Sequence, residues 1–162
     1  APAPEAGPDR FESGTANAEA MAGTAAAVDF LAGLAGDRTL SRSEALAQVF
    51  EELPSREGPL FQRLWEGLEG LPGVRLYGPP PADPRAPTLS FTVEGFTPRE
   101  VSARLADEFG AFLSHGDFYA ATVVERYGLK PNGMARAGIG IYTTDEEVDR
   151  VVEGVRAMAG GG

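Results

Sequence analysis

Met134-Ala-Arg-Ala-Gly-Ile-Gly-Ile-Tyr-Thr-Thr-Asp-Glu-Glu-Val-Asp-Arg150 changes its apolar period once, from that of a strand to that of a helix. From Met134 to Tyr142 it alternates. Ala135, Ala137, Ile139 and Ile141 fall on one face; Met134, Arg136, Gly138, Gly140 and Tyr142 fall on the other. The first face is uniformly apolar and belongs against a core. The second sets one guanidinium beside two glycines, and glycine in a strand often marks the close approach of a ligand or another backbone. Arg136 is therefore expected over a cleared floor, its planar fork suited to a carboxylate or phosphate. The plainer account is an ion pair with one of the 24 acidic residues. Thr144-Asp-Glu-Glu147 is a capping box. The helix behind it has Val148, Val151, Val152, Val155 and Met158 on its inner stripe.

The chain has 162 residues and a net charge of −10, so it suits one domain with appendages. Its acidity argues against nucleic acid and anionic membrane surfaces as partners. With no cysteine there is no disulfide, thiolate metal site or thiol nucleophile in this chain. No apolar run approaches the roughly 20 residues of a membrane span, and the Pro- and Ala-rich start is not a secretory signal. A cytoplasmic protein is expected.

Residues 1–9 read as an extended linker, because their prolines exclude a helix. Gly14 marks a turn, and Thr15 or Asn17 can cap a helix that ends at Gly36. Ser41-Arg-Ser-Glu44 is a second capping box, leading to a stripe of Leu46, Val49, Phe50 and Leu53. Pro54 and Pro59 should interrupt or kink that helix before Leu60, Phe61, Leu64, Trp65 and Leu68 resume the stripe. Two strands, Val74 to Gly78 and Thr88 to Val93, flank a loop with five prolines. Thr97-Pro98-Arg-Glu100 opens a helix ended by Gly110. A strand from Ala111 to Ser114, a polar turn, a short helix to about Tyr127 and a Lys130-Pro-Asn-Gly133 turn lead back to Met134. The order predicts an α+β fold. Its small antiparallel or mixed sheet has about four strands, with helices able to cover one face. Residues 10–72 form a helical segment and residues 73–162 the α+β unit.

The Arg-Ala-Gly strand, the Tyr-Thr-Thr turn and the Asp-Glu-Glu-Val-Asp-Arg helix resemble the C-terminal end of the class V aminotransferase family, which includes the cysteine desulfurases. Arg10-Phe-Glu-Ser-Gly-Thr-Ala-Asn17 resembles the family's Arg-Phe-Glu-x-Gly-Thr-x-Asn segment. The resemblance runs from Arg10 to about Met158, nearly all of this chain but only the C-terminal part of the family's length. It implies the small domain of a fold-type I enzyme dependent on pyridoxal phosphate. It further implies that Arg136 holds the carboxylate of a small amino-acid substrate. Gly14 and Thr15 would meet the cofactor phosphate of the partner subunit in a homodimer, at a helix start that suits an anion.

Ser114-His-Gly-Asp-Phe-Tyr-Ala120 occupies the place of the loop that carries the persulfide-forming cysteine in desulfurases. Tyr119 falls near the cysteine's position, and the loop resembles that of a subgroup with His-Gly-x-Phe-Tyr-Ala. Desulfuration is thereby disfavoured, and His115, the single histidine, stands near the mouth of the implied site with Tyr119. The family's Schiff-base lysine lies upstream of the Phe-Glu-x-Gly-Thr segment, and the single lysine here, Lys130, does not match it. The chain is therefore expected to be the C-terminal segment of a longer enzyme, inactive without a large cofactor-binding domain, with apolar helix faces left exposed. The rival expectation is a stand-alone amino-acid-binding or regulatory module that uses Arg136 without a cofactor.

Overall fold

The computed structural model describes Gly7, residues 14–83 and residues 85–160. The expected linker at 1–9, apart from Gly7, the Arg10 to Ser13 part of the Gly-Thr segment, and the last two glycines lie outside the described residues. The chain divides into two compact units, Ala1–Glu52 and Leu53–Gly162.

The first unit holds helix α1 (Ala18–Gly33) and the start of α2 (Arg42–Leu68). Asn17, not Thr15, is the cap of α1: its side-chain oxygen accepts from the Ala20 N–H. No residue of α1 is buried, and Met21, Phe30, Leu34 and Phe50 stay exposed. The Ser41 capping box forms, with the Ser41 N–H donating to Glu44 at 2.8 Å. Arg42 pairs with Asp29 at 3.0 Å.

The expected break at Pro54 and Pro59 does not occur, for α2 is one continuous helix with both prolines inside it. Both are exposed, so their rings meet solvent rather than the packed face. Burial of Leu60, Phe61, Leu64 and Leu68 outweighs the local cost of a missing N–H.

In the second unit β1 (Val74–Tyr77), β2 (Thr88–Val93), β3 (Ser114–Gly116) and β4 (Met134–Gly138) form one sheet in the order β1-β2-β4-β3. Every neighbouring pair is antiparallel, which gives the four-stranded α+β layer the sequence predicts. Leu89, Phe91, Val93, Ala135 and Ala137 face a core filled from the C-terminal half of α2, from α3 (Pro98–Phe109) and from α5 (Asp145–Ala159). Thr97 and Thr144 each complete a capping box. Gly154 brings α5 against α3, where an added Cβ would stand 2.4 Å from Leu105 Cδ2. Arg63 of α2 grips Asp149 of α5 with two bonds of 2.6 and 2.7 Å.

The opposite sheet face is not bare. Helix α4 (Ala121–Arg126) buries Val124 with Tyr77 and Met134, and Phe118 and Leu129 pack on this second cluster. Two strands end differently from expectation. Ala111 belongs to the stop of α3, its N–H bonded to the Leu105 carbonyl, so β3 starts later, at Ser114. β4 stops at Gly138 because Gly140 and Thr143 close a turn, with Thr143 N–H on the Gly140 carbonyl and Gly140 N–H on Thr143 Oγ1.

Candidate functional site

Strand register decides what surrounds Arg136. Ser90 of β2 and Ser114 of β3 lie directly across from it, and Tyr77 of β1 pairs with Ser90. Directly paired residues share a sheet face, so Tyr77, Ser90, Arg136 and Ser114 form one row across all four strands, on the face away from the main core. Half-buried Arg136 stands inside this row, flanked by hydroxyls. The Ser114 hydroxyl donates to the Arg136 carbonyl at 3.3 Å.

The plainer account of Arg136, an ion pair, is not what forms. Among the described residues no carboxylate lies within salt-bridge distance of its guanidinium. The charge instead lies over the ring of Phe118, with Cζ 4.0 Å from the centroid. Six other ion pairs form elsewhere among the described residues. Among the described residues nothing takes the in-plane donors of Arg136.

The two glycines beside Arg136 differ in use. Gly138 is exposed, with only Thr88 Oγ1 near the place of a Cβ, at 3.8 Å, so the floor there is open. The space at Gly140 is taken by the Tyr142 ring, 3.3 Å from the place of a Cβ. A cleft of about 360 Å³ at this end of β4 is walled by Phe112, Ile139, Tyr142, Glu147 and Arg150, among others.

His115 and Tyr119 are not brought to Arg136. His115 pairs with Ala135, so strand alternation puts it on the other face of β3, exposed at the sheet edge. Tyr119 is fully exposed, with its N–H on Asp117 Oδ1 at 3.1 Å. Phe118 is the residue to which the sequence assigned no role; its signal was its place in the His-Gly-x-Phe-Tyr-Ala loop, two residues after β3.

In the first unit Gly14 and Thr15 are exposed at the approach to α1. They line a shallow depression with Asn17, Thr24 and Arg42. The Thr15 hydroxyl makes no hydrogen bond among the described residues, so its donor is available to an anion. Thr24 spends its own on the Ala20 carbonyl, and Arg42 is shared with Asp29. This donor set fits the edge of a phosphate. Nothing in the chain fits a covalent anchor for a cofactor: Lys130 is exposed and paired with Glu125 at 3.2 Å. Among the described residues no group of His, Asp or Glu could hold a metal ion, and no helix is long and apolar enough to cross a membrane.

The family described as "Aminotransferase class-V" matches residues 4–151. A probable cysteine desulfurase of Streptomyces coelicolor is 31% identical over 148 residues, covering 91% of this chain and 31% of that protein. A cysteine desulfurase of Pectobacterium carotovorum is 30% identical over 151 residues, covering 93% and 32%. Among solved structures, an apo cysteine desulfurase from Thermococcus onnurineus NA1 superposes with a TM-score of 0.68 at 28% identity, over 95% of this chain and 34% of that one. A cysteine desulfurase from Escherichia coli shares the fold, with a TM-score of 0.69 at 24% identity over 93% of this chain and 33% of that one. The chain thus spans about a third of the length of the relatives it matches.

Proposed function

The chain belongs to the class V aminotransferase family, which depends on pyridoxal phosphate, and from that premise we propose that it forms the C-terminal part of such an enzyme acting on a small amino acid. The observation that carries the reading is half-buried Arg136, a cation on the sheet face away from the main core, its fork unspent on any acid among the described residues and its Cζ over the Phe118 ring. A guanidinium so placed can take the α-carboxylate through two parallel N–H···O bonds, which sets the amino group and α-carbon at a fixed height above the sheet. Ser90 and Ser114 flank it with polar groups of either hydrogen-bonding sense.

The Thr15 hydroxyl and the backbone of Gly14 and Thr15 would hold one edge of the cofactor phosphate, in a homodimer whose partner subunit binds the rest. When bound, the cofactor supplies an electron sink for bond breaking at the α-carbon. Its lysine anchor and most of its site would come from the large domain. Transamination, elimination and epimerisation suit this arrangement better than desulfuration. Tyr119, which falls near the expected thiol position, is an exposed phenol and cannot carry a persulfide.

The test is affinity for L-alanine, chosen as the smallest chiral amino acid, in the protein that joins this chain to its large domain. Losing charge-assisted hydrogen bonds worth about 1.5–3 kcal/mol should weaken binding about 10- to 150-fold in Arg136→Ala. The cofactor content should not change. Unaltered affinity in that variant would refute the role of Arg136.

A further inference from the structure

We propose that Phe118 is the positioning residue for Arg136: its ring holds the guanidinium plane so that the N–H donors stay aimed at an incoming carboxylate. The inference rests on the carboxylate-binding role of Arg136 and adds to it a role for Phe118, the first aromatic of the His-Gly-x-Phe-Tyr-Ala loop. A guanidinium has two chemically different surfaces. Its face is attracted to the negative face of an aromatic ring, and its edge carries the five donors. Cζ lies over the Phe118 ring, 4.0 Å from its centroid, and no hydrogen bond or ion pair among the described residues takes the donors of the guanidinium. An acidic partner would do the reverse, spending the donors that a substrate needs.

A positioning ring must itself be fixed, and this one is fixed from three sides. Phe118 packs on the cluster of Tyr77, Val124 and Met134. Its backbone lies in the left-handed region at φ 53°, followed by Tyr119 at φ 58°. Two successive non-glycine residues there persist only where their surroundings over-determine them. The turn is closed by the Ala120 N–H on the Asp117 carbonyl at 2.8 Å and by the Tyr119 N–H on Asp117 Oδ1. This turn folds Phe118 back over β4 and sends Tyr119 outward into solvent. The loop that replaces the desulfurase thiol loop is thereby an arginine support, with no nucleophile turned to the site.

The experiment compares Phe118→Leu, which keeps apolar bulk without a π-face, with Phe118→Tyr, which keeps the ring, in the enzyme carrying this chain. Dissociation constants are measured for L-alanine and for L-alaninamide, whose carboxylate is replaced by a neutral amide. Phe118→Leu should weaken L-alanine roughly fivefold, the scale of an exposed cation–π contact. Phe118→Tyr should restore it to within about twofold, and the amide should be indifferent to both. In an Arg136→Ala background, Phe118→Leu should add nothing. The Arg136 Nε proton of the unmodified protein should resonate upfield of an unstacked arginine, a readout that needs no variant to fold.

An unshifted proton, an equal loss in the Leu and Tyr variants, or the same loss without Arg136 would each overturn the role of Phe118. A different result, Arg136→Ala binding L-alanine as well as wild type, would sink the carboxylate site itself.

Discussion

Gly133→Ala tests whether the edge strand is seated as the site requires. Gly133 precedes β4 at φ +74°, and a Cβ there would stand 2.0 Å from the Gly116 carbonyl oxygen and 2.9 Å from the Asp117 nitrogen. Real Cβ contacts essentially never fall below 3.0 Å, so the β3 backbone would have to retreat by about 1 Å. That backbone is no flexible tip: Gly116 pairs with Met134, and Asp117 closes the turn that holds Phe118. The left-handed conformation costs alanine about 1–2 kcal/mol, and forcing a packed contact about 1–3 kcal/mol more. The total, about 2–5 kcal/mol, is a large share of a domain's usual stability. At about 3 °C per kcal/mol it should lower the melting temperature by roughly 6–15 °C.

Gly128→Ala is the internal control. Gly128 has φ +70° but nothing within 4 Å of its Cβ position, so it carries the conformational cost without the clash. Thermal melts by circular dichroism read both variants, and L-alanine affinity reads the displaced Phe118. Equal melting temperatures for the two variants would refute the reasoning, since the contact with Gly116 would then carry no cost.

Gly154→Ala should destabilise by about 1–3 kcal/mol through overpacking of α5 on α3, where the new methyl meets Leu105 Cδ2 at 2.4 Å and Phe109 Cδ2 at 2.9 Å; urea unfolding midpoints check it, and a neutral result would mean that the helices slide apart freely. Asp149 has its carboxyl held below the ordinary 3.8 by hydrogen bonds from Arg63. A depressed carboxylate stabilises above its unfolded value and loses that contribution as pH falls through the folded one. Wild type should therefore lose stability faster than Asp149→Asn below about pH 4, with a smaller difference in high salt because the pair is exposed; parallel unfolding curves at every pH would contradict this.

Much of this protein is legible along the chain because its signals are local. The capping boxes at Ser41, Thr97 and Thr144 all form, since a cap needs only four consecutive residues. The alternation of Leu89, Phe91 and Val93, and of Ala135 and Ala137, assigns the core face before any partner is known. Arg136 stands out by its residue type between small neighbours. The prolines of α2 mislead because they report a local cost, while continuity is set by a buried stripe that no local rule weighs. The apolar period of β4 also outruns its hydrogen bonds, which end where Gly140 and Thr143 close a turn.

The tertiary structure decided what stands beside Arg136. The strand order β1-β2-β4-β3 joins segments distant in sequence, so the row of Tyr77, Ser90, Arg136 and Ser114 exists only through register. A shift of one residue on β3 would put His115 in that row and Ser114 on the other face. The left-handed pair at Phe118 and Tyr119 is likewise invisible to propensity, which disfavours it; it is held by Asp117 and by the cluster around Tyr77. The residue types at the site were written locally. Which of them meet was settled by non-local pairing, because a side chain's face and neighbours follow from the strands it is bonded to.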